Sequence, residues 1–319
     1  MGDLTVVVTE PIHPAGIGLL EENGVKVISL SPGSDGETLA KVMGEADAFI
    51  TRGSIKITRE VMASSPRLKA VGVHGIGCDH VDLEAAKELG KVVLNTPKAL
   101  TETVAEMTLA LMLSLTRRVV SADKAVRSGE WSRKYSDLKG TEVMGKTVGI
   151  VGLGKIGAAV ARRLRGFEVK ILYYSRTRKS ELEAEIGVEW AELGDLLARS
   201  EIVSLHIPYS PETFHFISGR EISLMKDGAL IVNTARGRII DQEALVEALR
   251  SGKVAGAALD VFEVEPLDPG DPLTEMDNVI LAPHLAASSH EAMWRMATQV
   301  ADGVLKVLRG EVPDHPVVI

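Results

Sequence analysis

The stretch Thr147-Val148-Gly149-Ile150-Val151-Gly152-Leu153-Gly154-Lys155-Ile156-Gly157 decides the fold. Its first five residues are apolar and rich in β-branched side chains, and they read as a buried strand, Thr147–Val151. Its last six space their glycines as GxGxxG, and an amphipathic helix over Lys155–Arg165 opens directly behind them. The spacing carries meaning only in this strand–turn–helix setting. There the first glycine permits a tight turn, the second lets the backbone approach a pyrophosphate, and the third lets the helix pack close on the sheet. The helix N-terminus adds free N–H groups and partial positive charge. Gly152, Leu153, Gly154, Lys155, Ile156 and Gly157 are therefore candidate dinucleotide-binding residues. The plainer alternative is a glycine turn that only packs a helix on a sheet.

The next strand, Val169–Tyr174, runs into Ser175-Arg176-Thr177-Arg178-Lys179. A NAD site places Asp or Glu at such a strand end to accept from the ribose 2′-OH. Here no carboxylate is present, and a small hydroxyl residue is followed by cations. A 2′-phosphate carries up to about two negative charges and pairs well with Arg. Ser175, Arg176, Thr177 and Arg178 thus predict NADPH in preference to NADH, with NAD still usable. The alternative is a solvated basic loop.

The same alternation extends along the chain. Thr5–Val8, Val25–Leu30, Ala48–Thr51 and Leu68–Val73 read as buried strands, separated by helical segments Ile17–Asn23, Glu37–Met43 and Thr58–Ala63. A long helical segment, Thr101–Arg118, follows. After the glycine loop come a helix at Leu193–Ala198 and strands at Ile202–Ile207, Leu230–Asn233, Gly256–Asp260 and Val279–Ala282. A final helix covers about Ser289–Leu308. Runs apolar on both faces, each followed by a helix, indicate parallel sheets. The fold class is α/β: two Rossmann/flavodoxin-like doubly wound parallel-sheet domains with a cleft between them as the ligand site. A domain edge falls near Asn95–Leu100.

Composition bounds the function. The chain has 319 residues, 45% hydrophobic and 25% charged, enough for two cores. A formal charge of −8 argues against a nucleic-acid partner and requires any anionic ligand to be met by a local basic site. The single cysteine, Cys78, excludes an intrachain disulfide and a Cys-based zinc cluster, and no HExxH spacing suggests another metal. The start, with Asp3, lacks a signal-peptide pattern. The apolar run Leu109–Leu115 is too short to cross a bilayer. No membrane partner and a cytoplasmic location are the expectations.

Five ordered blocks carry a family resemblance: Gly75-Ile76-Gly77-Cys78-Asp79-His80-Val81-Asp82 with Asn95-Thr96-Pro97, the glycine loop, Asn233-Thr234-Ala235-Arg236-Gly237, Leu259-Asp260-Val261-Phe262-Glu263-Val264-Glu265-Pro266, and Pro283-His284. The chain resembles the D-2-hydroxyacid dehydrogenases nearly end to end. Tyr173–Lys179 looks most like glyoxylate reductases of archaeal type. Thr51-Arg52-Gly53-Ser54 and Trp131-Ser132-Arg133-Lys134 look more like phosphoglycerate dehydrogenases. The resemblance implies a substrate domain of 1–98 plus 288–319, a cofactor domain of 99–287, and a homodimer formed mainly through the cofactor domains.

It also implies a catalytic Arg, Glu and His, here Arg236, Glu265 and His284. The chemistry suits those types. A guanidinium fork can hold the carboxylate and carbonyl of a 2-oxo acid. An imidazolium can protonate the carbonyl oxygen as hydride reaches its carbon. A neighbouring carboxylate favours the charged ring and fixes its tautomer. Taken singly, Arg236 could be a strand-end surface residue, Glu265 a solvent-facing acid and His284 structural. With less weight, the resemblance assigns the backbone of Gly75, Ile76 and Gly77 and the side chain of Arg52 to substrate. Val104, His206, Ile207, Pro208, Thr234, Ala235, Arg236, Asp260, His284, Leu285 and Ala286 go to cofactor. Asp260 could instead cap a turn. His74 and His80 read as loop residues, and His290 and Trp294 as facing the cleft mouth. Met293 stands where reductases of the glyoxylate type often carry Arg, and Ala286 where many relatives carry Gly.

The expected activity is therefore reduction of a small 2-oxo acid, glyoxylate or hydroxypyruvate, with NADPH. The alternatives are a short 3-phosphoglycerate dehydrogenase, to which Arg52 points, and a non-enzymatic dinucleotide-sensing protein of corepressor type. A formate dehydrogenase fits less well, because that branch pairs its histidine with an amide.

Overall fold

The computed structural model describes residues 4–30 and 42–319. Asp3 and most of the expected helix Glu37–Met43 lie outside the described residues. The chain divides into two units, Met1–Leu100 with Ala287–Ile319, and Thr101–Ala286.

The first unit runs β1 (Thr5–Val8), α1 (Pro14–Glu22), β2 (Lys26–Ser29), β3 (Ala48–Thr51), α2 (Arg59–Ala63), β4 (Ala70–Val73), α3 (Leu83–Glu88) and β5 (Val92–Leu94). Every residue of β1, β3 and β4 is buried, which is why these runs lack a polar face. Side-chain caps set the helix starts: Thr58 accepts from Val61 N–H and Asp82 from Ala85 N–H.

The second unit begins with α4 (Thr101–Thr116) and α5 (Val119–Arg127), parted at Arg118, whose φ is 52°. It continues with β6 (Thr147–Val151), α6 (Lys155–Leu164), β7 (Lys170–Tyr174), α7 (Ser180–Ile186), β8 (Glu189–Trp190), α8 (Leu193–Arg199) and β9 (Ile202–Leu205). Then come α9 (Gly219–Leu224), β10 (Ala229–Asn233), α10 (Gln242–Ser251), β11 (Val254–Leu259) and β12 (Val279–Leu281). The chain returns to the first unit as α11 (His290–Leu308) and β13 (Pro316–Val318).

The first sheet has the order β13-β5-β4-β3-β1-β2. It is parallel except for β13, which pairs antiparallel with β5. That edge was not expected from sequence. It is three residues long and opens on Pro316, which an edge tolerates because its missing N–H faces outward. α11 supplies Val300, Ala301, Val304 and Leu305 to this unit's core. A Cβ on Gly72 of β4 would lie 2.6 Å from Val300 Cγ2, so glycine lets the helix seat on the strand.

The second sheet is parallel throughout, in the order β12-β11-β10-β9-β6-β7-β8. From β6 the chain moves outward to β8, then returns across β6 to lay β9 on its other side. The direction of winding reverses between β6 and β9, and ligands of such sheets bind at the carboxyl ends of the strands there. α4, α6 and α7 cover one face of this sheet and α8, α9 and α10 the other.

Candidate active site

At the carboxyl end of β6 the chain turns through Gly152, with φ of 101°. A side chain there would meet His206 O at 2.7 Å. A Cβ on Gly157 would meet Gly152 O at 2.1 Å, so the helix approaches its own loop as closely as backbone allows. Gly154 is different: a Cβ there meets nothing within 4 Å. It opens α6, and no side chain caps that helix end. The first-turn N–H groups, including those of Lys155 and Ile156, are thus presented to open space, as a pyrophosphate requires.

Ser175 ties the loop to the next strand: its hydroxyl accepts the Leu153 N–H at 2.8 Å. The residue that replaces the expected acid therefore shapes the glycine loop. Arg176, Thr177 and Arg178 are exposed beyond it. At the end of β9, His206 Nε2 lies 2.8 Å from Ser204 Oγ, and burial lowers its pKa to about 4, so the ring is neutral near pH 7. Ile207 and Pro208 follow it.

Asn233, which the sequence reading did not single out, clamps the loop after β10. Its amide donates to Arg236 O at 2.9 Å, and its oxygen accepts the Ala235 N–H at 3.0 Å. Thr234 Oγ1 lies 2.9 Å from Thr108 Oγ1 on α4, and Thr108 in turn donates to Val104 O at 2.8 Å. Gly237 is dictated by contact, because a Cβ there would fall 1.8 Å from the Phe262 backbone. Arg236 Nη1 donates to Ala235 O at 2.7 Å.

Asp260, at the end of β11, is fully buried. Its two oxygens accept the N–H groups of Leu285 at 2.9 Å and Ala286 at 2.8 Å, and its backbone oxygen accepts that of His284 at 2.8 Å. This is the turn-cap alternative, realised at three successive residues. Burial raises the Asp260 pKa; the two N–H groups work against that rise.

The capped turn holds His284 at φ 51°, a strained conformation for a side chain of this size. Nδ1 of His284 sits 2.6 Å from Glu265 Oε2, and Glu265 Oε1 accepts the Phe262 N–H at 3.0 Å. Burial pushes the Glu265 pKa up, but the bonds from His284 and Phe262, with the nearby charges of His284 and Arg236, bring it below the ordinary value. An ionised carboxylate only accepts, so Nδ1 carries the hydrogen toward it. Nε2 is left as the working nitrogen, on a ring 51% exposed.

The first unit carries the other candidates. Asn95 occupies the Ile76 carbonyl at 2.8 Å, while the N–H groups of Ile76 and Gly77 find no acceptor among the described residues. Arg52 is exposed; its Nη1 donates to Pro11 O at 2.8 Å, and Nη2 lies 3.9 Å from Met293 Sδ. Glu10 accepts from Arg52 N–H and from both the N–H and hydroxyl of Ser54. His74 is in a loop, as expected, but only 4% exposed, with neither ring nitrogen hydrogen-bonded. His290 and Trp294 are exposed on α11. Among the described residues no group of three or more His, Cys, Asp or Glu could hold a metal.

A family model described as D-isomer specific 2-hydroxyacid dehydrogenase, NAD binding domain, matches residues 109–286. The chain belongs to that family. It is 45% identical over 314 residues to a glyoxylate reductase of Thermofilum pendens, covering 97% of this chain and 92% of that one. It is 42% identical over 314 residues to a D-3-phosphoglycerate dehydrogenase of Methanocaldococcus jannaschii, covering 98% of this chain and 59% of that one. It is similar in structure to an NADPH-dependent glyoxylate/hydroxypyruvate reductase from Sinorhizobium meliloti, in complex with NADP and malonate. The TM-score is 0.87 at 30% identity, over 99% of this chain and 97% of that one.

As a 2-hydroxyacid dehydrogenase the chain is an oxidoreductase that uses a nicotinamide dinucleotide. The open first turn of α6 and the two glycine contacts fit that group. Sequence reasoning missed Asn233, although an Asn closing an apolar strand is itself a local turn signal, and Thr108, which only its pairing with Thr234 on another element reveals.

Proposed function

We propose that this dehydrogenase reduces glyoxylate or hydroxypyruvate with NADPH, and that His284 is its general acid. The observation that carries the reading is the short His284–Glu265 bond on a turn clamped by Asp260. The bound nicotinamide supplies a hydride to the substrate's carbonyl carbon. Arg236 holds the carboxylate and orients the carbonyl. His284 delivers the proton from Nε2 to the carbonyl oxygen, so that a C=O becomes a CH–OH. Glu265 stabilises the imidazolium before transfer, and in the reverse direction neutral His284 takes the proton back.

Gly152 to Gly157 would hold the pyrophosphate. Ser175 in place of an acid, with exposed Arg176, supports the preference for NADPH. His206, Ile207 and Pro208 are proposed beside the adenosine, and Val104, Thr234, Ala235, Leu285 and Ala286 beside the nicotinamide; Asp260 acts by fixing the last two. Gly75, Ile76, Gly77 and Arg52 are proposed to bind substrate, the open N–H groups of Ile76 and Gly77 suiting a carboxylate. Exposed Val119, Val126, Trp131, Tyr135 and Met144 in the second unit support a homodimer through that unit. No described helix is long and apolar enough to cross a membrane; with a single cysteine in the sequence, Cys78, a cytoplasmic location is proposed.

The deciding assay follows loss of reduced-cofactor absorbance with glyoxylate, hydroxypyruvate and 3-phosphohydroxypyruvate, each with NADPH and NADH. Faster turnover of the two small acids with NADPH is expected. Preference for the phosphorylated acid would favour the phosphoglycerate reading, for which exposed Arg52 is the argument. Tight dinucleotide binding without turnover of any acid would favour a sensor.

A further inference from the structure

The cations after β7 are not equivalent. Arg178 gives its Nε to Glu183 Oε1 at 2.8 Å and Oε2 at 3.2 Å, and its Nη2 to Oε2 at 2.8 Å. Glu183 lies in the first turn of α7 and is held from behind. Tyr173, buried in β7, donates its hydroxyl to Glu183 Oε1 at 2.6 Å and accepts the Lys179 N–H at 2.7 Å. The knot thus pins the carboxylate, the guanidinium and the loop backbone together. Arg178 remains 64% exposed, whereas Glu183 is 16% exposed. Arg176 makes no salt bridge among the described residues.

We propose that Glu183 sets the discrimination between phosphorylated and unphosphorylated adenine ribose: its carboxylate withholds Arg178 from a 2′-phosphate and leaves Arg176 to bind it. This rests on the dinucleotide site proposed above and goes beyond it, by naming the residue that limits the preference. A guanidinium committed to a carboxylate through Nε and Nη2 has spent one of its two-nitrogen forks. Its charge is cancelled locally, and the carboxylate itself repels a phosphate. The Arg178 bond, then the Tyr173 bond, lower the Glu183 pKa to about 2, so this acid stays ionised across the working range.

The variant Glu183→Gln keeps an oxygen for Tyr173 and removes the charge that holds Arg178. Two probes separate phosphate recognition from loop integrity: adenosine 2′,5′-bisphosphate and adenosine 5′-monophosphate, titrated calorimetrically into the full-length enzyme. The variants are Glu183→Gln, Arg178→Ala, Arg176→Ala and the double Glu183→Gln/Arg178→Ala. Arg176→Ala is expected to weaken the bisphosphate about tenfold, and Arg178→Ala by less than about threefold. Glu183→Gln is expected to tighten the bisphosphate about three- to tenfold and to leave the monophosphate within about twofold. In the double variant that gain disappears. The kcat/KM ratio for NADPH over NADH rises in step for Glu183→Gln.

A purely structural role for Glu183 would weaken both nucleotides together, which overturns the proposal. It is equally overturned if Glu183→Gln leaves the bisphosphate unchanged or weaker, if Arg178→Ala costs as much as Arg176→Ala, or if the gain survives in the double variant. A wild-type enzyme that prefers NADH would refute the cofactor preference alone, since the two nucleotides still read the effect of Glu183.

Discussion

Nδ1 of His284 lies 2.6 Å from Oε2 of Glu265, and the backbone N–H of the same histidine lies 2.8 Å from the carbonyl of Asp260. One residue is therefore gripped twice, by a charged partner on its ring and by a buried acid's main chain. The ring can turn little without losing one grip. That fixes which nitrogen faces outward, and the chemistry proposed for this enzyme depends on it.

Replacing His284 with Ala should lower kcat by about 10²–10⁴, the range for loss of an acid–base group. Cofactor affinity should fall far less than kcat, because Asp260 still holds the Leu285 and Ala286 N–H groups when the ring is gone. Stopped-flow reduction of glyoxylate and a fluorescence titration of the cofactor would read the two quantities. Turnover close to wild type would take His284 out of the mechanism.

Glu265→Gln keeps the shape but loses the charge that favours an imidazolium. The expected result is a fall in kcat of about 10- to 10³-fold, because the amide no longer offers a charge to a cationic ring. Steady-state reduction of glyoxylate checks it, and a kcat within about twofold of wild type would contradict the role given to Glu265.

Asp260→Ala would leave the N–H groups of Leu285 and Ala286 without their acceptors. Stability should fall by about 2–4 kcal/mol in urea unfolding. Turnover should fall more than tenfold even where the protein is fully folded, because the 284–286 turn loses its anchor. An Asp260→Ala enzyme with normal kcat would show that the turn holds itself.

Acid sensitivity should arise from His74 and His206, each lowered to about 4 chiefly by burial from an ordinary value of 6.5. In the unfolded chain both take a proton as pH falls below about 6.5, while the folded protein resists until about pH 4. The unfolded state therefore binds more protons in that window, and stability declines as pH drops through it. Each ring contributes up to about 1.4 kcal/mol per pH unit. His206→Gln should remove one such share and flatten the slope of unfolding free energy between pH 6 and 4.5. An unchanged slope would refute the assignment.

Sequence made visible strands buried on both faces, such as Ala48–Thr51 and Thr147–Val151, and also two edge strands; of these Lys26–Ser29, expected as buried, is exposed at both ends because it has a neighbour on one side only. What escaped was set by partners far along the chain. β8 is two residues long, and its pairing with β7 has no local signature. The break between α4 and α5 rests on a positive φ at Arg118 that no residue type announces. α10 did carry a signal, Asp241 as its cap and Gly252 just past its end, with φ of 77°. In the site, GxGxxG was legible from its strand–turn–helix setting, while Arg236, Glu265 and His284 stood out only through the family resemblance. The burial of His74 and the knot at Glu183 were not legible, because each depends on partners in another element or across a loop, whereas the clamp by Asn233 went unread although its backbone partners lie only two and three residues on.

The return of α11 and β13 to the first sheet has a consequence for biosynthesis. The opening hundred residues emerge from the ribosome without the helix that covers β1, β3 and β4 and without the strand that flanks β5. The whole of 101–286 is translated before those pieces appear, a wait of about 10–40 s at ordinary elongation rates. During that interval the inserted unit can fold first on the nascent polypeptide, while its predecessor stays dependent on chaperones or on partial order until the last helix arrives.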